Sequence, residues 1–90
     1  MHFRYGRTVN LEELRWFVVL AETEHVTDAA AELAVSQPTL SRALARLERD
    51  AGTPLFDRVN RRLRLNPYGQ IMLEHARRSI VRAKLAPRAE

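Results

Sequence analysis

The stretch that decides the fold is VTDAAAELAVSQPTLSRALARLERDAG, residues 26–52. Its first part is rich in alanine, which favours a helix, and this run ends before Ser36. Ser36 can cap a second helix, 36–50, because its hydroxyl can accept an early backbone N–H, and Pro38 falls in the first turn, where no N–H is needed. Gly52 is typical of a helix end. The stretch therefore predicts two short helices joined by a tight turn.

The second of these helices has an apolar side and a polar side. Leucines at three- and four-residue spacing predict a buried stripe, Leu40, Leu44 and Leu47. The outward positions of the N-terminal turns hold Gln37, Thr39, Ser41 and Arg42. In a helix-turn-helix the second helix lies in the DNA major groove and its N-terminal residues contact base edges. Gln can pair with adenine, Arg with guanine, and a Thr methyl can meet a thymine methyl. We therefore expect these side chains to read bases.

A further helix is predicted before this stretch. Asn10 can accept an early backbone N–H while Glu13 reaches back, which is the capping-box arrangement. Apolar residues at helical spacing predict that this helix extends to about Thr23. These residues are Leu11, Leu14, Phe17, Val18 and Ala21. Thr27 is the predicted cap of the next helix. Residues 1–9 show no period, and we expect them to form a flexible leader.

After Gly52 the pattern changes to the alternation of a strand. Leu63, Arg64 and Leu65 alternate, and residues 55–58 can pair with them across a turn, which predicts a two-stranded ribbon within 55–66. Asn66 followed by Pro67 then predicts the start of a last helix.

The last helix is predicted to reach about Leu85, a length of about 25 to 28 Å. Residues at alternating three- and four-residue steps form the spacing of a helix pair, namely Leu73, Ala76, Ile80 and Ala83. We expect a second subunit to cover this helix, because it is too long for a small globule. The predicted organisation is a domain over 10–66, a linker and dimerisation helix over 67–86, and a tail over 87–90.

The 90-residue chain is long enough for one small domain, and its charge is uneven. Residues 36–90 hold 12 basic and five acidic residues, a balance of +7, whereas residues 1–35 hold three and six, a balance of −3. Of the 15 basic residues 14 are Arg, which favours bidentate contact with phosphate or guanine. Genomic base composition or a solvated surface would also explain this enrichment.

Several side chains are candidates for phosphate contacts. The hydroxyls at the two helix N-termini, Thr27 and Ser36, can meet phosphates. Arg46, on a polar side of the second helix, is a further candidate for a phosphate contact. The ribbon carries four arginines, Arg58, Arg61, Arg62 and Arg64, which would form a basic wing able to enter a minor groove or follow its phosphates. The alternatives are that both hydroxyls only cap their helices, that the hairpin is only solvated, and that Arg58 pairs with a nearby acid.

Four blocks in this order carry a family resemblance: Ser36 to Arg42 (SQPTLSR), Leu47-Glu48, Gly52 to Arg58 (GTPLFDR), and Arg61 to Asn66 (RRLRLN) with Gly69. Over roughly residues 10–85 the chain resembles the N-terminal DNA-binding domain of LysR-type transcriptional regulators. The sequence departs from the family at Glu24-His25-Val26, where a Gly-Ser-Phe-like approach to the second helix is usual, and at Thr39, where Ala or Pro is common.

The resemblance implies a mainly α fold: a winged helix-turn-helix of three helices and a two-stranded wing, followed by a long linker helix that pairs two subunits. It implies that Gln37, Pro38, Thr39, Ser41 and Arg42 touch DNA and that Arg58, Arg61 and Arg62 lie on the wing. Complete members continue into an effector-binding domain and usually form tetramers. We expect no small-molecule effector site in this chain.

Other chemistry has little support in the sequence. Without cysteine there is no disulfide, thiolate nucleophile or cysteine-ligated metal, and His2, His25 and His75 are too scattered for a metal site. No phosphate loop or catalytic motif occurs, so we expect neither a cofactor nor enzyme activity. The longest apolar run, Trp16–Ala21, is six residues, too short for a membrane span or signal peptide, and a soluble, cytoplasmic protein is expected.

The function predicted from the sequence is therefore sequence-specific binding of double-stranded DNA by a dimer. Its two recognition helices would enter successive major grooves about 34 to 36 Å apart on an interrupted palindrome. Winged helices also serve as protein-interaction or RNA-binding modules, and that alternative stays open at this point.

Overall fold

The computed structural model describes residues 10–85, which form four helices and one antiparallel two-stranded sheet. The elements are α1 (Leu11–Thr23), α2 (Val26–Leu33), α3 (Gln37–Ala51), β1 (Phe56–Val59), β2 (Arg62–Leu65) and α4 (Pro67–Leu85). This order confirms the predicted winged helix-turn-helix followed by a long helix. The predicted leader, 1–9, and tail, 87–90, lie outside the described residues.

Side-chain caps fix the beginnings of three helices. Asn10 Oδ1 accepts the Glu13 backbone N–H at 2.8 Å at the start of α1. Asn66 Oδ1 accepts the Gly69 N–H at 2.8 Å at the start of α4. Ser36 does the same for α3, as described below, so all three predicted caps are confirmed.

Thr27 was predicted to cap α2, and this prediction is wrong because the helix begins earlier in the chain. α2 begins at Val26, and His25 occupies the cap position without a side-chain hydrogen bond. Thr27 therefore lies inside the first turn, where it is exposed. The Glu13 carboxylate also departs from the capping box, because it points away from Asn10 and binds Arg46 on α3.

The core lies where the three short helices meet the sheet and α4. Its members are apolar and buried, namely Leu14, Phe17, Leu20, Ala29, Ala30, Leu40, Leu44, Leu47, Ala51, Leu55, Phe56, Leu63, Met72 and Ala76. The rings of Phe17 and Phe56 join α1 to the sheet, with centroids 5.4 Å apart and planes tilted by 58°. The predicted leucine stripe of α3 is thus confirmed as its buried face.

The first half of α4 belongs to this core. Met72 and Ala76 are completely buried, and Gly69 approaches the loop before β1 so closely that a Cβ there would lie 2.1 Å from the Leu55 carbonyl oxygen. Only glycine fits at this contact. α4 is therefore anchored to the domain up to Ala76, and its second half extends beyond it.

Candidate nucleic-acid interface

The N-terminal turns of α3 present the predicted base-reading residues outward. Gln37, Pro38, Ser41 and Arg42 are exposed, and Thr39 is half-buried. Leu40, on the opposite side of the same turn, is completely buried and orients this surface. The helix therefore exposes a short polar face whose rotation about the helix axis is fixed by its leucines.

Ser36 uses its hydroxyl within the helix end. Its Oγ accepts the Thr39 backbone N–H at 3.1 Å and donates to the Thr39 hydroxyl at 2.8 Å. Ser36 is exposed, so its capping role leaves one face of the oxygen open to solvent. The structure thus supports the capping explanation directly, and a phosphate contact at Ser36 stays a prediction.

Arg46, predicted to contact phosphate, forms an ion pair within the chain. Its guanidinium donates to the carboxylate of Glu13, and this hydrogen bond together with the charge of Glu13 raises the pKa of Arg46. The Glu13 carboxylate is nearly buried, and within residues 10–85 its Oε1 has no hydrogen-bond partner. Because a buried carboxylate is stable only when paired, Arg46 holds α3 against α1. Its side chain is 46% exposed, and a phosphate contact by Arg46 stays a prediction.

The wing is a tight hairpin in which β1 pairs with β2 from Phe56↔Leu65 to Val59↔Arg62. The two residues between the strands, Asn60 and Arg61, both have positive φ, 51° and 69°. This conformation is typical of a type I′ turn, which normally favours Asn and then Gly. Arg61 at the tip therefore occupies a position where the backbone would prefer glycine.

The wing arginines fall into two groups. Arg58, Arg61 and Arg64 are exposed and take no part in the ion pairs formed within residues 10–85. Arg62 instead donates to Glu24 Oε1 at 2.6 Å, which ties it to the turn between α1 and α2. The predicted phosphate role thus remains open for Arg58 and Arg61, whereas Arg62 has a partner within the chain.

The four residues of α4 predicted to pair with a second subunit do not form one exposed face, because some of them lie in the core of their own chain. Ala76 is completely buried in its own chain and Leu73 packs against the same core, so Ala76 has no surface left for a second subunit. Ile80 is half-buried and Ala83 is exposed, beyond the end of the core. The pairing role predicted for Ala76 is therefore wrong, because α1 already covers that face of α4.

An apolar face that the sequence reasoning missed lies on the other side of α4. Ile71, Val81 and Leu85 recur at helical spacing and are 58%, 54% and 77% exposed. The charged residues Glu74 and Arg78 lie between them on this face, with Arg78 Nη2 3.8 Å from Glu74 Oε1. The signal was present in the sequence as a second stripe, interrupted by these charges.

No group of three or more His, Asp or Glu side chains in the described part of the chain could hold a metal ion. His75 is half-buried on α4, and burial followed by the charges of Arg78 and Arg82 lowers its pKa. Over residues 10–85, none of the helices has the length and hydrophobicity to cross a bilayer.

The three short helices with an antiparallel wing define a winged helix-turn-helix protein, and the exposed polar turn of α3 lies where this class carries its recognition surface. Residues 11–70 match the family described as bacterial regulatory helix-turn-helix protein, lysR family. The chain belongs to this family, which confirms the resemblance seen in the sequence.

Individual relatives agree with this assignment. YybE of Bacillus subtilis (strain 168), an uncharacterized HTH-type transcriptional regulator, is 53% identical over 62 residues, which cover 69% of this chain and 21% of YybE. The chain thus spans about a fifth of the length of that relative.

Solved structures of DNA complexes have the same fold. A complex of the CbnR DNA-binding domain with DNA superposes with a TM-score of 0.80 at 36% identity, over 84% of this chain and 87% of that one. A complex of the BenM DNA-binding domain with benA site 1 DNA has a TM-score of 0.79 at 32% identity, over 84% of this chain and 88% of that one.

Proposed function

We propose that the chain binds double-stranded DNA sequence-specifically, with the first turns of α3 in the major groove and the wing tip on the adjacent backbone or minor groove. The observation that carries the proposal is the outward polar face of α3, with Gln37, Ser41 and Arg42 exposed opposite the buried Leu40. The DNA complexes of CbnR and BenM, which share the fold, support it.

Selection of duplexes from a random pool by the 90-residue chain tests this proposal directly. We expect enrichment of one sequence, and fluorescence titration should show preference for that duplex over single strands, double-stranded RNA and random duplex. Equal affinity for all four nucleic acids would contradict sequence-specific reading. Preference for the RNA would move the chain to the alternative class of winged helices.

Arg42→Ala is the variant that isolates base reading. If Arg42 pairs with guanine, we expect a loss of about 1 to 3 kcal/mol on the selected duplex and relaxed preference at one base pair. Arg49→Ala is the matched control, because Arg49 is equally cationic and exposed but lies in the last turn of α3. An equal loss on selected and random duplexes would assign Arg42 to a phosphate instead.

We further propose that two copies pair through the outer face of α4 and read an interrupted palindrome. Along the sequence, positions 71 and 85 are equally far from Arg78, and so are positions 74 and 82. An antiparallel pair crossing at Arg78 would set Ile71 against Leu85 of the partner subunit and Glu74 against Arg82 of the partner subunit. This register pairs two exposed apolar residues of α4 and joins opposite charges. It also brings the Arg78 side chains of both subunits to the crossing point, where each lies 3.8 Å from Glu74 of its own helix.

Sedimentation of charge variants tests the pairing. Ile71→Glu should yield monomers, because it puts a carboxylate into the proposed apolar contact with Leu85 of the partner subunit. Lys84→Gln changes the net charge by the same amount at an exposed position off that face and should leave the dimer intact. Dissociation by Ile80→Glu but not by Ile71→Glu would instead favour the pairing residues predicted from the sequence.

The proposals about catalysis and cellular location rest on the family to which the chain belongs and on DNA as the proposed ligand. We infer that this domain performs no reaction of its own and acts in the cytoplasm, where bacterial DNA is found. Since the core includes α4 up to Ala76, we also infer that the linker proper is the half of α4 after that residue. Tetramer formation would belong to a complete regulator.

A further inference from the structure

Glu24 contacts the wing at two consecutive residues. Its backbone carbonyl accepts the Leu63 N–H at 2.8 Å, and its Oε1 accepts a hydrogen bond from Arg62 Nη2 at 2.6 Å. Leu63 is buried in the core, whereas Arg62 pairs with Val59 next to the turn. One residue between α1 and α2 therefore holds β2 by its backbone and by its side chain.

The conformation of Glu24 shows that its carboxylate is not needed to end α1. Glu24 has φ 66°, a left-handed conformation that glycine adopts without steric cost. Its backbone N–H bonds the Leu20 carbonyl to close the helix, which glycine would do equally well. Because the side chain adds nothing to that cap, its contact with Arg62 is the feature that distinguishes glutamate here.

We propose that Glu24 and Arg62 form a latch that sets the angle of the wing toward DNA, with Arg62 as a positioning residue instead of a phosphate contact. The inference rests on the proposed function. Arg61 directly precedes Arg62 at the wing tip, so fixing Arg62 also fixes where Arg61 can reach. The latch thus connects the turn before α2 to the exposed end of the wing.

The competing arrangement is that DNA takes Arg62 away from Glu24. An exposed ion pair alone is weak, and the Arg62 and Glu24 side chains are 48% and 33% exposed. The backbone bond from Leu63 to Glu24 favours the latch, because it keeps β2 beside Glu24 with or without DNA. The two arrangements predict opposite changes in DNA affinity when the Glu24 charge is removed. The affinity falls if Glu24 and Arg62 form a latch, and it rises if Glu24 competes with DNA for Arg62.

Titrations of the 90-residue chain with its selected duplex and with random duplex, over a series of salt concentrations, separate these arrangements. We expect Glu24→Gln and Arg62→Gln each to weaken binding about two- to fivefold. The double variant should be no weaker than either single variant, because the two side chains act as one unit. The salt slope of Arg62→Gln should equal that of the unaltered chain, because no phosphate contact is lost.

Glu22→Gln is the matched control. Glu22 lies near the same end of α1 and bonds Arg77 on α4 at 3.2 Å, away from the wing. Its loss changes the net charge as Glu24→Gln does, so general attraction to DNA rises equally in both. Weaker binding by Glu24→Gln alone therefore identifies the latch and not the net charge.

Three results would overturn the latch: tighter binding by Glu24→Gln, a salt slope lowered by about one in Arg62→Gln, or unchanged Leu63 amide exchange in both variants without DNA. Faster Leu63 exchange in both variants supports it. Failure of the unaltered chain to prefer its selected duplex would contradict the proposed function. If the proposed function holds but the latch does not, the unaltered chain should still prefer its selected duplex. Glu24→Gln and Arg62→Gln should then bind that duplex as tightly as the unaltered chain does.

Discussion

In α3 the proposed DNA surface is oriented by apolar burial, whereas in the wing it is oriented by polar contacts and a strained turn. The leucines of α3 lie in the core and leave Gln37 and Arg42 outward. The wing has Leu63 in the core, but its tip depends on Arg61 in a left-handed conformation and on Glu24. Burial is worth more than exposed ion pairs, so the helix is the rigid half of the surface and the wing the adjustable half.

The largest effect should come from the apolar support of α3. Leu40→Ala removes a completely buried side chain and leaves a cavity beneath the recognition surface, and we expect a loss of about 2 to 5 kcal/mol in the free energy of unfolding. Urea denaturation measures it. Ala45→Gly, at an exposed position of the same helix, should cost about 1 kcal/mol. Equal losses in the free energy of unfolding for Leu40→Ala and Ala45→Gly would mean that the buried side of α3 contributes no more to stability than its exposed side.

A smaller loss is expected at the base of the wing. Gly69→Ala places a Cβ 2.1 Å from the Leu55 carbonyl oxygen and 2.6 Å from Leu65 Cδ2, so α4 must move away from the sheet. We expect a cost of about 1 to 3 kcal/mol, measured by thermal unfolding. Gln70→Ala, at the exposed neighbouring position, should be close to neutral. A neutral Gly69→Ala would show that the contact between α4 and the wing base is loose.

The features visible from sequence were those set by local pattern. The spacing of Leu40, Leu44 and Leu47 and the caps at Asn10, Ser36 and Asn66 depend on residues within one helix, and the structure confirms them. The wing was also predicted, although its turn residues, Asn60 and Arg61, are not a usual hairpin pair.

The predictions for Arg46, Arg62 and Ala76 instead involve long-range contacts. Arg46 and Arg62 were assigned to phosphate from their exposed helix and ribbon positions, but their partners, Glu13 and Glu24, are 33 and 38 residues away in sequence. Ala76 was predicted to pair with a second subunit because its spacing fits both a partner helix and α1. Such long-range pairings depend on how the elements pack, which spacing within one helix does not encode.

The smallest effect separates the strain at the wing tip from its charge. Arg61→Gly relieves a left-handed conformation, and we expect the free energy of unfolding to rise by up to about 1 kcal/mol. Binding to DNA should nevertheless weaken, with the salt slope reduced by about one, because a phosphate contact is lost.

Asn60→Gly is the control for this last variant, because it changes the other residue of the same turn, at φ 51°, and keeps Arg61. Asn is already favoured at this position of the turn, so the variant should leave the free energy of unfolding nearly unchanged and the salt slope unchanged. If Arg61→Gly and Asn60→Gly behave alike toward DNA, Arg61 makes no phosphate contact. The adjustable half of the surface would then be carried by Arg58 and Arg64, the other exposed wing arginines outside the ion pairs of residues 10–85. A more stable but weaker-binding Arg61→Gly would instead show that the wing tip trades backbone stability for a charge at the DNA, which the leucine-anchored helix does not need to do.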